Sequence, residues 1–244
     1  MQINYKLAGD KAIVMEFENK IAPEVNQKVR KIYLGISNNE VNGVEEIIPA
    51  YRSILIIYNP LKINKDKLID KLETINNKLK DFEFEKPKTI EIPTVYGGED
   101  GPDLDYVAEY NNLNKDEVIK IHKQRKYLVY MLGFTPGFVY VGGMSKKIAT
   151  PRLDEPREKI KKGSVGIAGS QTGIYPIDSP GGWRLIGRTP LDLFDPYREP
   201  PFLVKAGDYI KFKEISKDKF KKLKKEKEEN KKRRVNNDRN ISQR

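Results

Sequence analysis

In the first third of the chain, segments with an apolar residue at every second position alternate with segments whose apolar residues are three or four positions apart. Short apolar or alternating runs predict strands at residues 2–7, 12–17, 44–48, 53–58 and 89–92. Apolar residues spaced three and four apart follow Pro23 and Asn64, and this spacing predicts one helix after each of them. After the first strand, the predicted order is that of a ferredoxin-like sandwich. We therefore expect residues 1–94 to form a ferredoxin-like α/β domain.

Turn-forming residues interrupt the pattern after this domain. Residues 95–104 read VYGGEDGPDL, a composition typical of a connector between domains. A short helix is predicted from Pro102, and a second helix follows Asn114, which forms a capping-box pattern with Glu117. Residues 95–124 are therefore predicted to be a connector followed by helices.

Short strands separated by glycine and proline turns fill the next stretch. Of the chain's 18 glycines, 11 lie between Gly133 and Gly187, mixed with aromatic and branched apolar residues. Glycine costs conformational entropy unless the backbone needs a positive φ or a close approach. This density indicates a tightly turned β structure, so we predict a closed or nearly closed barrel for residues 125–216. The whole chain is predicted to be of the α+β class.

Positive charge is concentrated at the C-terminal end. Residues 217–244 hold 13 Lys and Arg against 5 Asp and Glu, in a chain whose net charge is +11. The rest of the chain is nearly balanced, which argues against a nucleic-acid-binding body. Phe220 and Leu223 are nearly the only apolar anchors of this basic tail. We expect it to be a helical extension that frays into disorder and is dispensable for the core function.

Composition excludes several classes of protein. The chain has no run of 18 apolar residues and no signal-peptide pattern, so we expect a cytoplasmic protein without a membrane partner. The 38% of hydrophobic residues suffice for a core. The absence of cysteine and the presence of one histidine argue against disulfides, thiolate chemistry and the usual zinc sites. No metal is expected.

Polar residues are interspersed in the glycine-rich stretch as in a ligand pocket. The candidates are Arg157, Gln171, Thr172, Tyr175, Trp183 and Arg188. Four of them are expected to converge in one concave site, namely Arg157, Gln171, Tyr175 and Arg188. This site would lie near His122, with Trp183 as part of its wall. Other interpretations remain open: turns that merely connect strands, arginines in surface ion pairs, and Trp183 as a plug of the barrel core.

The single histidine, His122, also allows different interpretations. Near the C-terminal end of a helix, a histidine is commonly a packing residue or a cation favoured by the helix dipole. The alternative is an acid or base in a reaction. A Ser-His-Asp triad remains open as well, although no nucleophile-elbow pattern accompanies it.

Long motifs give the second half of the chain a specific signature. They are GFTPGFVYVGG at 133–143, PRLDEPR at 151–157, GSVGIAGSQTGIYPIDSPGGWRLIGRTP at 163–190 and LFDP at 193–196. Together they resemble the carboxyltransferase subdomain C/D family, over roughly residues 1–215. The resemblance implies a cyclophilin-like barrel, a shape that by itself implies no activity.

The resemblance also implies a part in amide chemistry. The family includes the B subunit of ATP-dependent 5-oxoprolinase, which opens the small amide 5-oxoproline to glutamate. The B subunit does so with two partners, an A subunit and a C subunit of the carboxyltransferase A/B type. ATP is then a co-substrate of the complex, whichever of the chains binds it. Two alternatives come from the same family. One is an inhibitor of a sensor histidine kinase, with Phe134, Phe138 and Tyr140 forming its groove, and the other is a carboxyltransferase acting on urea or a related amide.

Residue roles follow from the first of these activities. The expected catalytic residues are Arg188 and His122, which stands where the family has a histidine before a Tyr-x-Val strand. The expected substrate-binding residues are Arg157, Gln171, Thr172, Tyr175 and Trp183. The resemblance implies an active site shared with a partner protein, so we expect this chain alone to be inactive.

Overall fold

The chain divides into two compact units. The computed structural model describes residues 3–79 and 87–241, and the contacts between elements separate Met1–Lys88 from Thr89–Arg244. Each unit has its own sheet and its own apolar core, as an independent domain does.

An antiparallel sheet and two packed helices form the described part of the N-terminal unit. The strands are β1 (Asn4–Leu7), β2 (Ala12–Glu16), β3 (Val44–Pro49) and β4 (Ser53–Tyr58). The helices are α1 (Pro23–Asn38) and α2 (Lys65–Lys78). The strand order is β1-β2-β4-β3, and each neighbouring pair is antiparallel.

The helices of this unit begin where the sequence predicts. Pro23 opens α1, and the Asn64 side chain caps α2 by accepting a hydrogen bond of 2.9 Å from the backbone N–H of Lys67. The apolar residues with helical spacing are buried in the core, namely Val25, Val29, Ile32, Ile36, Leu68, Leu72 and Ile75. Spacing and capping thus predict both helices correctly.

A mixed sheet builds the C-terminal unit. Its strands are β5 (Thr89–Tyr96), β6 (Tyr127–Leu132), β7 (Val139–Gly142), β8 (Arg157–Ile160), β9 (Ser164–Ala168), β10 (Gln171–Ile174), β11 (Ser179–Gly181), β12 (Arg184–Arg188) and β13 (Tyr209–Glu214). Its α-helices are α3 (Leu104–Tyr110), α4 (Lys115–Gln124) and α5 (Lys217–Ile241). The main sheet has the order β10-β9-β12-β5-β13-β6-β7, and β11 pairs with β8.

The strand predicted at residues 89–92 belongs to this second unit and does not close the first. It is part of β5, which pairs in parallel with β13 and antiparallel with β12, and its Ile92 is fully buried in the barrel core. In the N-terminal sheet, β1 occupies the edge beside β2 where a ferredoxin-like order needs a further strand. The units therefore divide between Lys88 and Thr89 rather than after residue 94, because β5 pairs with strands far along the chain.

The two edges of the main sheet come together. β10 contacts β7, although no backbone ladder joins them in the described residues. A Cβ added at Gly173 of β10 would lie 3.6 Å from the carbonyl oxygen of Val139 in β7. The prediction of an α+β chain with a nearly closed barrel is thus confirmed, and the largest core of this unit lies inside the barrel.

The first turns of α5 pack against the barrel. Phe220 is buried with Val95 and Ile215, and the Lys227 ammonium donates to the Asp192 carboxylate at 3.0 Å. The predicted helix is present, but these turns are anchored rather than frayed, because Phe220 finds an apolar site. The last three residues, to which the predicted fraying also applies, lie outside the described part. Within residues 3–79 and 87–241, no helix combines the length and the apolar character needed to cross a membrane.

Candidate functional site

Helix α4 carries the single histidine into the barrel. The helix begins with the predicted capping box: Asn114 Oδ1 accepts from the Glu117 N–H at 2.9 Å, and a Glu117 carboxylate oxygen accepts from the Asn114 N–H at 2.8 Å. His122 lies two turns further along and is 0% exposed. Its ring packs on Phe212 of β13, with the ring centroids 4.3 Å apart. The cap thus sets the helix start that brings this side chain into the interior.

Both ring nitrogens of His122 are hydrogen bonded. Nδ1 lies 2.8 Å from the Tyr96 hydroxyl, and Nε2 lies 2.9 Å from Thr172 Oγ1. The Thr172 hydroxyl donates to the Gly166 carbonyl at 2.9 Å, so its oxygen accepts from Nε2–H. Nδ1 then accepts a hydrogen bond from the Tyr96 hydroxyl, and we infer a neutral ring protonated on Nε2. Each donor in this chain of hydrogen bonds has an acceptor.

The surroundings of His122 keep the ring neutral. Burial lowers its pKa to about 3, because an imidazolium would lose its hydration there. Burial also raises the pKa of the Tyr96 phenol well above its usual value. Neither group changes its charge near neutral pH. This geometry favours the packing interpretation of His122 and a positioning role, rather than the acid or base role that the resemblance implies.

Side chains along β10 point alternately to the two sides of the strand, and this separates the predicted site residues. Thr172 and Ile174 face the barrel interior, where Thr172 meets His122 and Ile174 joins the main core. Gln171 and Tyr175 lie on the opposite face of the strand. The structure therefore does not bring all the predicted residues into one site near His122, because successive strand residues point to opposite sides of the barrel wall.

Trp183 covers a pair of glycines on the outer side of this wall. Gly166 of β9 and Gly173 of β10 face each other in the ladder. A Cβ at Gly166 would lie 3.1 Å from Trp183 Cβ, and one at Gly173 would lie 3.0 Å from Trp183 Cζ3. A Cβ at either position would make an unusually tight contact, so glycine favours the close approach of the indole. Trp183 is 8% exposed, and it packs with Phe138 and Tyr175 on the sheet rather than inside the barrel core.

Arg157, at the start of β8, belongs to a hydrogen-bond network that is incomplete. Its Nη2 donates to Asp103 Oδ1 at 2.9 Å, and Asp103 Oδ2 accepts from the Leu185 N–H at 2.6 Å. Nη1 of Arg157 is buried and has no hydrogen-bond partner within the described residues. Buried donors without an acceptor are uncommon in folded proteins. This nitrogen is therefore a candidate position for an ordered water or for a ligand oxygen.

Tyr175 lies next to this guanidinium. Burial raises the pKa of the phenol, while a hydrogen bond with the Trp183 backbone and the charges of Arg152 and Arg157 act in the opposite direction. Gly181 is needed beside it, since an added Cβ would lie 2.5 Å from the phenol oxygen. The structure thus brings together three of the predicted residues, Arg157, Tyr175 and Trp183.

Arg188 has different partners at the end of β12. Its Nε donates to the Lys162 carbonyl at 2.9 Å, and its Nη1 lies 3.7 Å from Asp100 Oδ1. Its guanidinium carbon lies 5.9 Å from the centre of the Phe220 ring of α5. Gln171 opens β10 opposite Ala168 of β9 and is half-buried. Arg188 and Gln171 remain predictions as site residues.

Two residues of these networks were missed from the sequence, Tyr96 and Asp103. Both lie in the segment VYGGEDGPDL, whose turn composition indicates only a connector. A signal was present, because an Asp at the start of a helix usually caps it. Asp103 stands at that position in α3 but makes no side-chain cap, and its carboxylate instead binds Arg157 and the Leu185 backbone.

Candidate ligand-binding groups in this unit are cationic rather than metal-ligating. Across residues 3–79 and 87–241, no group of three or more His, Cys, Asp or Glu is arranged to hold a metal ion. Arg157 and Arg188 carry guanidinium groups, which pair well with phosphate or carboxylate oxygens. Two surface cavities, of about 810 and 270 Å³, are lined by other residues.

Comparison with known proteins assigns the family. Residues 3–204 match the carboxyltransferase domain, subdomain C and D. The chain belongs to this family. It is 44% identical over 229 residues to the B subunit of 5-oxoprolinase from Bacillus subtilis, covering 88% of this chain and 95% of that protein. It is 38% identical over 208 residues to the B subunit of 5-oxoprolinase from Escherichia coli O157:H7, covering 84% and 93%. The predicted family is thus confirmed.

Solved structures share the fold. PH0987, a conserved uncharacterized protein of Pyrococcus horikoshii, is 48% identical with a TM-score of 0.54, covering 89% of this chain and 100% of that chain. The urea amidolyase of Kluyveromyces lactis matches with a TM-score of 0.72 over 90% of this chain and 15% of its own. At 21% identity, the second likeness concerns the fold alone.

Proposed function

We propose that the chain is the B subunit of an ATP-dependent 5-oxoprolinase, which opens 5-oxoproline to glutamate together with an A subunit and a C subunit. The observation that carries this proposal is the identity of 44% and 38% to two proteins named as the B subunit of 5-oxoprolinase, over 95% and 93% of their lengths. The similarity extends over almost the whole of those proteins and is not limited to a shared motif. We expect the complex to act in the cytoplasm.

The reaction needs activation of a poor electrophile. 5-Oxoproline is a lactam, and its amide resonance makes the carbonyl resistant to attack by water. Transfer of a phosphoryl group from ATP to the lactam oxygen, with release of ADP, makes the ring carbon more electrophilic. Water then adds to this carbon, the ring C–N bond breaks as the nitrogen takes a proton, and hydrolysis of the resulting acyl phosphate gives glutamate and phosphate. Cationic donors then stabilise the negative charge on the phosphoryl and carboxylate oxygens. In this scheme ATP is a co-substrate of the complex, and this chain binds and orients anionic groups.

Arg157 is the residue that we assign to anion binding. Its Nη1 lacks a partner among the described residues, while Nη2 is held by Asp103 at 2.9 Å. Because the guanidinium is already fixed, a ligand oxygen gains a charged donor with little loss of side-chain entropy. Tyr175 is close enough for the guanidinium charge to act on the pKa of its phenol, and Trp183 packs on Tyr175. A carboxylate or phosphoryl oxygen of the substrate is the acceptor that suits this nitrogen.

A shared active site is consistent with this arrangement. Arg157 offers one free donor, whereas His122 and Thr172 are enclosed in the barrel and bonded to each other. We propose that the partner proteins supply the groups that complete the site. His122 and Thr172 then act as positioning residues that hold β10, and Arg188 and Gln171 contact substrate only if the partner brings it to them.

Reconstitution tests the proposed function. Glutamate release from 5-oxoproline is measured with the purified chain, with the A and C subunits, and with the complete mixture, each with and without ATP. We expect release only from the complete mixture with ATP. Activity of the chain alone would contradict the shared site. A purified complex of the three chains that releases no glutamate would contradict the function.

A second candidate function is inhibition of a sensor histidine kinase. It is favoured by Phe134, which is 78% exposed at a positive φ of 68° in the loop between β6 and β7. The ring is supported by Phe138 at a centroid distance of 5.8 Å, an arrangement suited to anchoring a partner helix. Autophosphorylation of a sensor kinase from the same genome tests this. Inhibition that Phe134→Ala abolishes would favour it over the enzyme.

Carboxyl transfer to urea or a related amide is the third candidate. The urea amidolyase of Lachancea kluyveri is 27% identical over 249 residues, which cover 88% of this chain but 13% of that protein. Most of that protein has no counterpart in this sequence, so the likeness concerns the C and D subdomain alone. Adding urea with a carboxylated biotin carrier to the reconstituted mixture tests this candidate, and turnover of urea without turnover of 5-oxoproline would favour it.

A further inference from the structure

A groove of about 810 Å³ runs between α4 and the C-terminal strand of the barrel. Its lining residues come from β5, α4, β13 and the chain just before α5, namely Glu91, Lys120, Lys123, Gln124, Lys211, Phe212, Lys213, Glu214, Ile215 and Ser216. The lining includes neither His122 nor any residue of the Arg157 network. The groove is therefore distinct from the site assigned to the substrate.

The lysines of the groove stand in two rows. Lys211 and Lys213 are two residues apart on β13, so they share one face of the strand at a spacing of about 7 Å. Lys120 and Lys123 are three residues apart on α4, neighbours on the helix surface at about 5–6 Å. The two rows present positive charge at regular intervals along the groove.

One lysine in each row makes no direct ion pair with a described residue, although the charge of Lys211 still acts on the Glu91 carboxylate. Lys213 pairs with Glu91 at 2.8 Å, and Lys123 pairs with Glu214 at 2.5 Å. Among the described residues, neither Lys120 nor Lys211 makes an ion pair within 4.0 Å. Four lysines and two glutamates leave the groove with a positive excess. It therefore presents unmatched positive charge on both of its sides.

The spacing of these charges suits an extended chain better than a compact anion. A phosphate site usually gathers arginine forks or glycine-loop N–H groups around one point. This lining has neither arginine nor glycine, and its charges are spread along two rows. Alternate residues of an extended peptide are about 7 Å apart on one side, which matches the lysine spacing on β13. The lysine stems and Ile215 offer apolar contact to the residues in between.

We propose that this groove binds an extended acidic segment of a partner protein, whose carboxylates pair with Lys120 and Lys211. Its charge complements that of the groove, and its backbone lies between the two lysine rows. The proposal does not depend on which reaction the complex carries out. Its electrostatic part weakens with salt, since exposed ion pairs are screened.

A labelled peptide of alternating Glu and Val tests the groove with the full-length chain by fluorescence anisotropy. We expect the wild-type chain to bind this peptide, with an affinity that falls as salt is raised. The double variant Lys120→Glu with Lys211→Glu should weaken binding about tenfold or more, because like charges then face each other. Carbodiimide cross-linking of the peptide should modify Lys120 and Lys211 first.

A matched control separates the groove from the overall charge. Lys146→Glu with Lys147→Glu changes the net charge by the same amount at two exposed lysines outside the lining. This control should keep the affinity within about twofold of wild type, as expected for surface charges away from the contact. Equal losses in both double variants, or no binding by the wild-type chain, would overturn the proposal. Displacement of the peptide by inorganic pyrophosphate at micromolar concentrations would overturn it in favour of a compact anion site.

Discussion

The polar residues around His122 and those around Arg157 lie on the two sides of the barrel wall, and they differ in completeness. Inside, the hydrogen bonds run from Tyr96 through His122 to Thr172 and end on the Gly166 carbonyl. Outside, Asp103 satisfies Nη2 of Arg157, while Nη1 has no acceptor in the described part of the chain.

This difference separates structural polar groups from candidate ligand-binding groups. A buried network in which each donor has an acceptor fixes the geometry of its elements and gains nothing from a ligand. A buried charged donor without an acceptor destabilises the free chain, and a ligand oxygen relieves that cost. We therefore propose that the complete network belongs to the scaffold and that the incomplete one belongs to the proposed site.

Replacing Arg157 by lysine should have the largest effect. Lysine keeps a positive charge near Asp103 but lacks the second nitrogen that would bind the substrate. We expect Arg157→Lys to lower kcat/KM of the reconstituted complex by two to three orders of magnitude, the loss typical of a missing charge-stabilising donor. The measurement is ATP-dependent glutamate release at saturating concentrations of the partner proteins.

The matched exchange for this test is Arg152→Lys. Arg152 is an exposed arginine close enough to Tyr175 to affect its pKa, and no role in binding is assigned to it. Its exchange should leave both activity and melting temperature nearly unchanged. Wild-type activity in Arg157→Lys would show that the unpartnered nitrogen has no part in the reaction.

Replacing His122 should instead lower stability. In His122→Leu a side chain of similar size fills the space, but the Tyr96 and Thr172 hydroxyls lose their partner. We expect the free energy of unfolding to fall by about 2–3 kcal/mol, as for other broken buried networks. Trp183, the chain's single tryptophan, reports unfolding of the C-terminal unit by fluorescence in urea.

Activity distinguishes the two interpretations of His122. A positioning residue should leave the activity of the folded fraction within a few-fold of wild type. An acid or base would lose several orders of magnitude while the urea midpoint stayed in place. A loss of activity at an unchanged urea midpoint would show that His122 is catalytic. The inner network would then not differ from the outer one in being purely structural.

Much of the fold could be predicted because its signals are local. The capping side chain of Asn64 and the capping box of Asn114 with Glu117 mark helix starts, and glycine density marks the barrel. The partner of a strand is not local. β5 was therefore assigned to the wrong sheet, since its neighbours β12 and β13 lie roughly ninety or more residues further along the chain.

The site was predicted less well for a similar reason. Residue types indicate which side chains can bind an anion, but the face of the strand decides which of them meet. Thr172 and Tyr175 are close in sequence and lie on opposite sides of the barrel wall. Whether a donor is already satisfied is also invisible in the sequence, and that property distinguishes Arg157 from His122.

Arg188 is intermediate between His122, whose hydrogen bonds are complete, and Arg157, whose hydrogen bonds are not. Its contact with helix α5 offers a way to test its role. Its Nε is satisfied by the Lys162 carbonyl, its distance to Asp100 is long at 3.7 Å, and Phe220 lies beside it. Phe220→Ala should lower the free energy of unfolding by about 2 kcal/mol, since a buried aromatic side chain is lost. Truncation after Ser216 should cause at least the same loss, measured again by Trp183 fluorescence.

Activity of the Phe220→Ala complex decides the role of Arg188. If Arg188 belongs to the scaffold, glutamate release per folded complex stays unchanged. If it contacts substrate, loss of the neighbouring ring disturbs its position, and KM rises. An unchanged urea midpoint in both the point variant and the truncation would instead show that α5 is as dispensable as its composition predicts.

The smallest expected effect is the dependence of stability on acid pH, which comes from the inner network. The pKa of His122 is about 3 in the folded chain against an ordinary value of 6.5, so the unfolded state binds the extra proton between these values. The contribution of the neutral ring is therefore fully present above about pH 6.5 and is lost progressively as the pH falls towards 3. The slope for one such group is at most about 1.4 kcal/mol per pH unit.

His122→Leu removes the titrating group, so the stability difference between wild type and variant should shrink by about 1 kcal/mol per unit below pH 6. Urea midpoints followed by Trp183 fluorescence from pH 7 to pH 5 measure this difference. Because carboxylates titrate alike in both proteins, subtraction cancels them. A stability difference between wild type and variant that stays constant over this range would mean that the folded chain does not keep the His122 ring neutral. The inner network would then accept a proton, just as the outer network is proposed to accept a ligand.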